Sequence, residues 1–422
     1  MSHVHAKVVK NTKNVVDVNI EKTPVEPFAH WCFFLYSIHD QGKEYLDFFA
    51  GVSVMNCGHC NLEILEKTIQ QMQTLQHTTI IYLTEEMVQL AEKLASVLPG
   101  DLRRSFFCCT GSEANEGAML LARLYTGKNE FIALENGLHG RTYLTMSATG
   151  IPMWRADPDL SPKVHFAKTV WDSNTDLEQA AKASIESIKE IIQARGANHI
   201  AALIAEPIQG NGGIITPPAW YFKELKQLLE DNRILLIIDE VQTGFARTGK
   251  MFAIEHYDVV PDIMTVAKAL GNGMPISAFC TTDEVAKAFT KPSASTLGGN
   301  PVSSATALAV LDYIEKYELC ETAAHLGEML KEGLIALQAK YSLIKDVRGI
   351  GLMLGAELVK EDGQPASEET DVILEKLKDR GIIVGKNGLN RNVLAFQPPL
   401  VITEANVQTL LHELDEVLAE LQ

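Results

Sequence analysis

Short, unbroken apolar runs alternate along the chain with longer segments in which apolar residues recur every three or four positions. The runs Ile234–Ile238 and Ile263–Ala267 are β-branched and aliphatic throughout, which suits parallel strands covered on both faces. Arg104–Cys109, Phe131–Leu134, His199–Ala205 and Ile276–Cys280 read as further strands. Helical spacing marks Leu62–Gln76, Glu85–Val97, the stretch from Gly111 to about Tyr125, Lys182–Arg195, Ser303–Glu315, Cys320–Lys340, Ser367–Asp379 and Glu404–Leu421. In Glu85–Val97, for example, Met87, Leu90, Ala91 and Leu94 share a face, and Pro99-Gly100 ends the helix. Residues 1–40 read as an arm with an apolar patch at Trp31–Tyr36, followed by a turn at Asp40-Gln41-Gly42-Lys43 between possible strands.

At 422 residues the chain is long enough for two or three structural units. With 46% hydrophobic and 22% charged residues its composition is that of an ordinary globular enzyme, and a formal net charge of −17 argues against nucleic acid or an anionic membrane as its partner. No run of 18 apolar residues exists, so no membrane span is expected. The first residues have lysines but neither arginine nor an apolar core, so they resemble neither a transit peptide nor a signal peptide. Seven cysteines without framework spacing suit a reducing cytoplasm. Cys57-Gly58-His59-Cys60 has thioredoxin-type spacing, which leaves a thiol redox protein as one reading. No second ligand pair accompanies it, so no metal site is expected.

The candidate chemistry lies where two strands end. Ile234–Ile238 runs into Asp239-Glu240, and Ile263–Ala267 runs into Lys268. Ligands of open α/β sheets sit beyond the carboxyl ends of the strands, so this carboxylate and this amine face one crevice. They could be a satisfied ion pair. They could also be a Schiff-base lysine and the carboxylate partner of a pyridinium nitrogen, because an apolar setting lowers an amine's pKa and frees its nucleophilic form.

Asp239-Glu240-Val241-Gln242-Thr243-Gly244-Phe245-Ala246-Arg247-Thr248-Gly249, then Pro261-Asp262 and Ala267-Lys268-Ala269-Leu270, resembles the class III aminotransferases. The resemblance runs from about Gly42 to Leu400. It implies the pyridoxal-phosphate fold of type I: an α/β protein with a mostly parallel large-domain sheet and a smaller α+β C-terminal domain. The division would be an N-terminal arm and small-domain segment at 1–61, a cofactor-binding domain at 62–302, and a bridging helix with the small domain at 303–422.

The same resemblance implies roles for single residues. Lys268 would hold pyridoxal 5′-phosphate and act as general base and acid, and Asp239 would face the ring nitrogen. Gln242 would reach the phenolic oxygen, Gly111 and Ser112 the phosphate, and Thr296 the phosphate of the other subunit in a homodimer or dimer of dimers. Leu138, His139, Glu206 and Val241 complete the cofactor site, with Leu138 where the family usually has an aromatic residue. Arg141 would take the far carboxylate of an ω-amino acid such as 4-aminobutyrate or a β-alanine relative. Asn211 and Ala395 stand where relatives using 2-oxoglutarate carry a glutamate and an arginine, with Arg391 nearby as a candidate substitute. The expected reaction is transfer of the amino group to a keto acid, with pyruvate or glyoxylate as acceptor. Decarboxylases, racemases, aminomutases and phospho-lyases of the same fold are the alternatives.

Overall fold

The structure is a computed structural model that describes residues 43–171 and 176–421, together with the backbone of three strands before them. Those strands are β1 (His3–Val9), β2 (Asp17–Thr23) and β3 (Tyr36–Ile38). β1 and β2 pair antiparallel and belong to a separate N-terminal unit, Met1–Phe33. The apolar patch expected from Trp31 falls, up to Leu35, outside the described residues, as do most positions of the turn at Asp40–Lys43. β3 and β4 (Glu44–Phe48), which flank that turn, pair antiparallel.

Seven strands form the large sheet: β5 (Arg104–Cys108), β6 (Glu130–Leu134), β7 (Val164–Ala167), β8 (Ile200–Ala205), β9 (Leu235–Asp239), β10 (Ile263–Val266) and β11 (Ser277–Thr281). Their order is β5-β11-β10-β9-β8-β6-β7, and only β11 runs against the rest. Alternate residues feed two separate cores. Leu236 and Ile238 of β9 enter one, while Ile237 between them enters the other. An unbroken apolar run is what a strand covered on both faces requires.

Helices occupy both faces and the sheet's flanks. In chain order they are the short α1 (Ala50–Ser53), α2 (Leu62–Thr74), α3 (Glu85–Val97), α4 (Gly111–Thr126), α5 (Tyr143–Ser147), α6 (Leu177–Arg195), α7 (Tyr221–Asp231), α8 (Asp283–Ala286), α9 (Pro301–Lys316) and α10 (Leu319–Lys340). α11 (Ser367–Asp379) and α12 (Glu404–Ala419) complete the set: α10 and α11 pack on the second sheet, and α12 packs against those two helices. Among the described residues, no helix is long and apolar enough to cross a membrane.

That second sheet has six strands, in the order β12 (Ile344–Ile350), β13 (Met353–Leu358), β15 (Val393–Phe396), β14 (Ile382–Asn387), β4, β3. The stretch Val347–Glu357 is a hairpin in which Ile350 pairs with Met353 across Gly351-Leu352. Gly351 has φ 57, the left-handed value that a two-residue hairpin turn asks of its first position. The turn glycine hides among apolar neighbours in the sequence, which is why the run looks continuous.

α1 is helical in hydrogen bonding but left-handed in backbone: Ala50, Gly51, Val52 and Ser53 all have positive φ, with Val52 at 67°. A β-branched residue there is strained. The Asp47 carboxylate holds the turn in place by accepting from the N–H groups of Phe49 (2.7 Å) and Ala50 (2.8 Å). Its other oxygen pairs with His59 Nε2 at 2.7 Å.

Arg247 joins the two sheets. Its side chain is fully buried, and its guanidinium donates to the carbonyls of Leu352 (3.0 Å) and Pro398 and to the Asn56 side chain. Burial pulls its pKa down to about 9, with Asp47 opposing, so it remains charged at neutral pH. Arg247→Ala should therefore leave three buried acceptors without a donor and open a cavity. The expected loss is about 3–5 kcal/mol of stability, measured by denaturant unfolding at unchanged m-value.

Candidate active site

The C-terminal ends of β5, β6, β8, β9 and β10 share one edge of the large sheet and bound a pocket of about 440 Å³. Each strand delivers a chemical group there. β5 leads to Thr110, Gly111 and Ser112, β6 to Leu138, His139 and Arg141, β8 to Glu206 and Asn211, β9 to Asp239, Val241 and Gln242, and β10 to Lys268. All of the expected site residues except Thr296 are therefore brought together in one pocket.

Asp239 is 3% exposed and fully engaged. Its Oδ2 accepts from Asn115 Nδ2 at 2.7 Å and lies 2.8 Å from His139 Nδ1, and its Oδ1 accepts from the Val241 N–H at 3.0 Å. Asn115 is itself held by Thr265, whose hydroxyl donates to Asn115 Oδ1 at 2.6 Å. Neither Asn115 nor Thr265 was singled out from sequence. Each left a trace: Asn115 lies one helical turn beyond Gly111 and Ser112, and Thr265 is the only hydroxyl in an apolar strand.

Lys268 follows β10 in a left-handed conformation, φ 46, a strained geometry that turns its side chain off the strand end. Desolvation lowers its pKa to about 8, against the opposing pull of Asp239 and Glu206. Far more of the amine is thus neutral and nucleophilic near neutral pH than in an ordinary lysine. Glu206 is pushed the other way, to about 7, chiefly by burial; His139 opposes the rise and Asp239 adds to it. Its two oxygens accept from the N–H groups of Leu138 (2.9 Å) and Gly210 (3.0 Å), so one carboxyl ties together two walls of the pocket.

Several polar atoms in this pocket are buried without a partner: His139 Nε2 and both the Nε2 and the Oε1 of Gln242. Such atoms are rare in folded proteins unless a ligand completes them. Gln242 occupies space that only a glycine at 210 leaves open, since a Cβ there would lie 1.4 Å from its Oε1. At the opposite wall, α4 begins at Gly111 behind its cap Thr110, whose Oγ1 accepts from the Glu113 N–H at 3.2 Å. The N–H groups of Gly111 and Ser112 have no acceptor among the described residues, an anion-binding arrangement strengthened by the helix dipole. A Cβ on Gly111 would come within 2.9 Å of Val241. An anion cradle at one end, a carboxylate at the other, and an amine with two unpartnered polar side chains between them fit pyridoxal phosphate.

Arg141 stands exposed at the rim. Its backbone N–H donates to Ser112 Oγ at 3.0 Å, and its guanidinium has no ion pair among the described residues. Trp154, Val54, Met274 and Ile276 supply apolar wall that sequence reasoning did not identify. Thr296 is elsewhere, lining a small recess with His77–Ile80, Tyr82 and Met87. Ala395 is buried in an apolar cluster with Ile208, Ile214 and Met353, and Arg391 is exposed on a loop and does not line the pocket. The substitution of Arg391 for the absent arginine is thus not realised.

The thiol redox reading fails on burial. Cys57 is wholly inaccessible, and burial pushes its thiol well above the ordinary range, so no thiolate forms near neutral pH.

Known proteins match this arrangement over nearly the whole chain. The family model for class III aminotransferases covers residues 34–418. The Arabidopsis thaliana protein named alanine–glyoxylate aminotransferase 2 homolog 2, mitochondrial, is 43% identical over 90% of this chain and 80% of its own length. An acetylornithine aminotransferase from Methanocaldococcus jannaschii is 39% identical over 90% of both chains. Among solved structures, an amine transaminase from an uncultivated Pseudomonas species in its PLP-bound form superimposes with a TM-score of 0.87 at 31% identity, covering 92% of this chain and 93% of that one. With this match the chain belongs to the class III aminotransferases, which work through pyridoxal 5′-phosphate.

Proposed function

We propose that Lys268 is the catalytic amine and Asp239 the partner of the cofactor's ring nitrogen, and that the enzyme moves an amino group from an ω-amino acid to a monocarboxylic keto acid. The observation that carries this reading is the meeting of a half-buried lysine of lowered pKa with a fully hydrogen-bonded carboxylate in one pocket. Pyridoxal phosphate supplies an electron sink for the charge left when the amine-bearing carbon loses its proton. The chain does the rest. Lys268 Nζ takes that proton and returns it. Asp239, anchored by Asn115 and Val241, keeps its charge aimed at one point. Gly111 and Ser112 donate backbone N–H groups to a phosphate, and the unpartnered Gln242 amide and His139 ring meet polar edges of the bound group. Leu138 and Val241 contribute the apolar faces, and Glu206 keeps the Leu138 and Gly210 loops in register.

Substrate choice follows from the cations. Apart from Lys268, a single one lines the pocket among the described residues, Arg141, whose guanidinium has no ion pair there and can take one carboxylate. Where relatives using 2-oxoglutarate would place a second arginine there is Ala395, packed against Ile214 and Met353, and Asn211 stands in place of its glutamate partner. Removing both members leaves no stranded charge. A donor such as 4-aminobutyrate or β-alanine and an acceptor such as pyruvate or glyoxylate each need one cation. The name of the plant relative, which includes glyoxylate, supports the acceptor.

A homodimer is part of the reading. Thr296 is followed by exposed Leu297, and the segment facing its recess exposes Ile81, Tyr82 and Leu83. An apolar patch of this kind beside a residue expected to act in trans favours a second copy as its cover. A cytoplasmic location is supported by the six described cysteines, all of which are free thiols.

Borohydride treatment of the yellow holoenzyme should fix the cofactor on Lys268 alone, as read by peptide mass. Lys268→Ala should lose turnover while remaining folded, and an active Lys268→Ala variant would end this assignment. Asp239→Asn should bind cofactor and lose activity by at least ~100-fold, on the order of 3 kcal/mol of barrier. Activity within a few-fold of the parent would put the nitrogen's partner elsewhere. For the acceptor, kcat/KM with pyruvate or glyoxylate should exceed that with 2-oxoglutarate by roughly 10- to 150-fold, the worth of one charge-assisted pair. Arg391→Ala should leave that ratio unchanged. A parent enzyme that prefers 2-oxoglutarate would refute the single-cation account.

A further inference from the structure

Asn211 lines the pocket of Lys268, and the next residue, Gly212, lines a second cleft of about 590 Å³. One wall comes from the large sheet, with Glu135 just after β6 and Lys168 and Trp171 just after β7. The other comes from the small sheet, with Arg348 on β12 and Glu357 on β13. Charged side chains of both signs therefore face a space far larger than an ion pair needs.

Their bonding separates fixed groups from free ones. Arg348 is 8% exposed and pinned: Nε donates to the Gly213 carbonyl at 2.8 Å, and Nη1 donates to Asp346 (2.8 Å) and Glu357 (2.6 Å). Its guanidinium lies 4.2 Å from the centre of the Trp171 ring. Its Nη2 donates to no acceptor among the described residues. The Lys168 ammonium and the Glu135 carboxylate likewise have neither an ion pair nor a hydrogen bond among the described residues. The cleft thus offers two cationic donors, one free carboxylate and the edge of an indole. An inorganic anion would satisfy the cations and face Glu135 across the space, whereas a molecule carrying both charges satisfies all three groups.

We propose that this cleft is a second binding site, for a free amino acid in its zwitterionic form, with the carboxylate on Arg348 and Lys168 and the ammonium on Glu135. The site is coupled to the catalytic pocket by the wall they share. Within the loop Gln209–Gly213, the Gln209 side chain accepts from Thr169, the Gly210 carbonyl from Asn387 Nδ2 (3.0 Å), the Asn211 carbonyl from the Gly388 N–H (3.0 Å), and the Gly213 carbonyl from Arg348. A ligand that bridges the two walls sets the position of this loop, and with it the Asn211 side of the catalytic pocket.

The test is calorimetry on holoenzyme reduced with borohydride, in which the cofactor can no longer receive a substrate amine. That step rests on the cofactor being held by a lysine; if the label maps to a residue other than Lys268, that assignment fails, but the titration still reads this cleft, because the reduced cofactor takes up no amine. L-alanine should bind saturably at one molecule per chain. Binding should weaken by about tenfold or more in Lys168→Ala and in Glu135→Gln, two exposed positions whose replacement leaves the core intact. Acetate and methylamine, each carrying half of the recognised charge, should bind far more weakly. Absence of saturable L-alanine binding overturns the proposal, as does binding indifferent to both substitutions. Acetate binding as tight as that of L-alanine would make this a simple anion site and overturn it equally.

Discussion

A buried carboxylate is costly unless donors surround it, and this structure is built around supplying them to Asp239, which is 3% exposed. Three donors come from three separate elements: Asn115 from α4, His139 from the loop after β6, and the Val241 N–H just beyond β9. Thr265 extends the network to β10. Fixing one charge therefore fixes four segments against each other. One of them, α4, brings the free N–H groups of Gly111 and Ser112 with it, so the anion cradle is positioned by the same bonds that hold the carboxylate.

Around that satisfied centre the pocket is deliberately incomplete. His139 Nε2 and the Gln242 amide are buried and unpartnered, the Lys268 backbone is left-handed, and the wall at Val54 follows a turn in which Val52 has φ 67. Each costs stability, on the order of 1–3 kcal/mol for an unsatisfied or strained group. The two cores on either face of the large sheet offset that cost, because nearly every strand residue is buried on one side or the other. Local rules broken in one place and kept elsewhere are the mark of a functional site.

What was legible in the sequence followed the strength of its periodic signal. β8, β9 and β10 stood out because burial on both faces leaves no polar interruption, and the ends of β9 and β10 pointed to Asp239 and Lys268, whereas Glu206 after β8 entered through the family resemblance. β7 escaped notice: it has four residues at the sheet edge, includes His165, and offers no alternation to read. α7 has no side-chain cap at Trp220 to announce it. β14, in the small sheet, carries Gly385 and Lys386 within a short apolar stretch. The turn at Ala50–Ser53 was beyond any propensity argument, since valine is among the residues least suited to it. Ala395 was seen as a missing arginine, but only packing reveals that Ile214 and Met353 close around it, leaving Arg391 outside.

Arg247 gives the substrate side of the pocket a mechanical character. One buried guanidinium ties Asn56 ahead of α2, the Leu352 turn of the β12–β13 hairpin and Pro398 beyond β15 to the loop that follows Asp239. None of these can swing inward alone without stripping a charge of its partners in a dry interior. The wall carrying Val54 is thus cast rather than hinged, and substrates are sorted by whether they fit a ready-made shape instead of by how far the protein can fold around them.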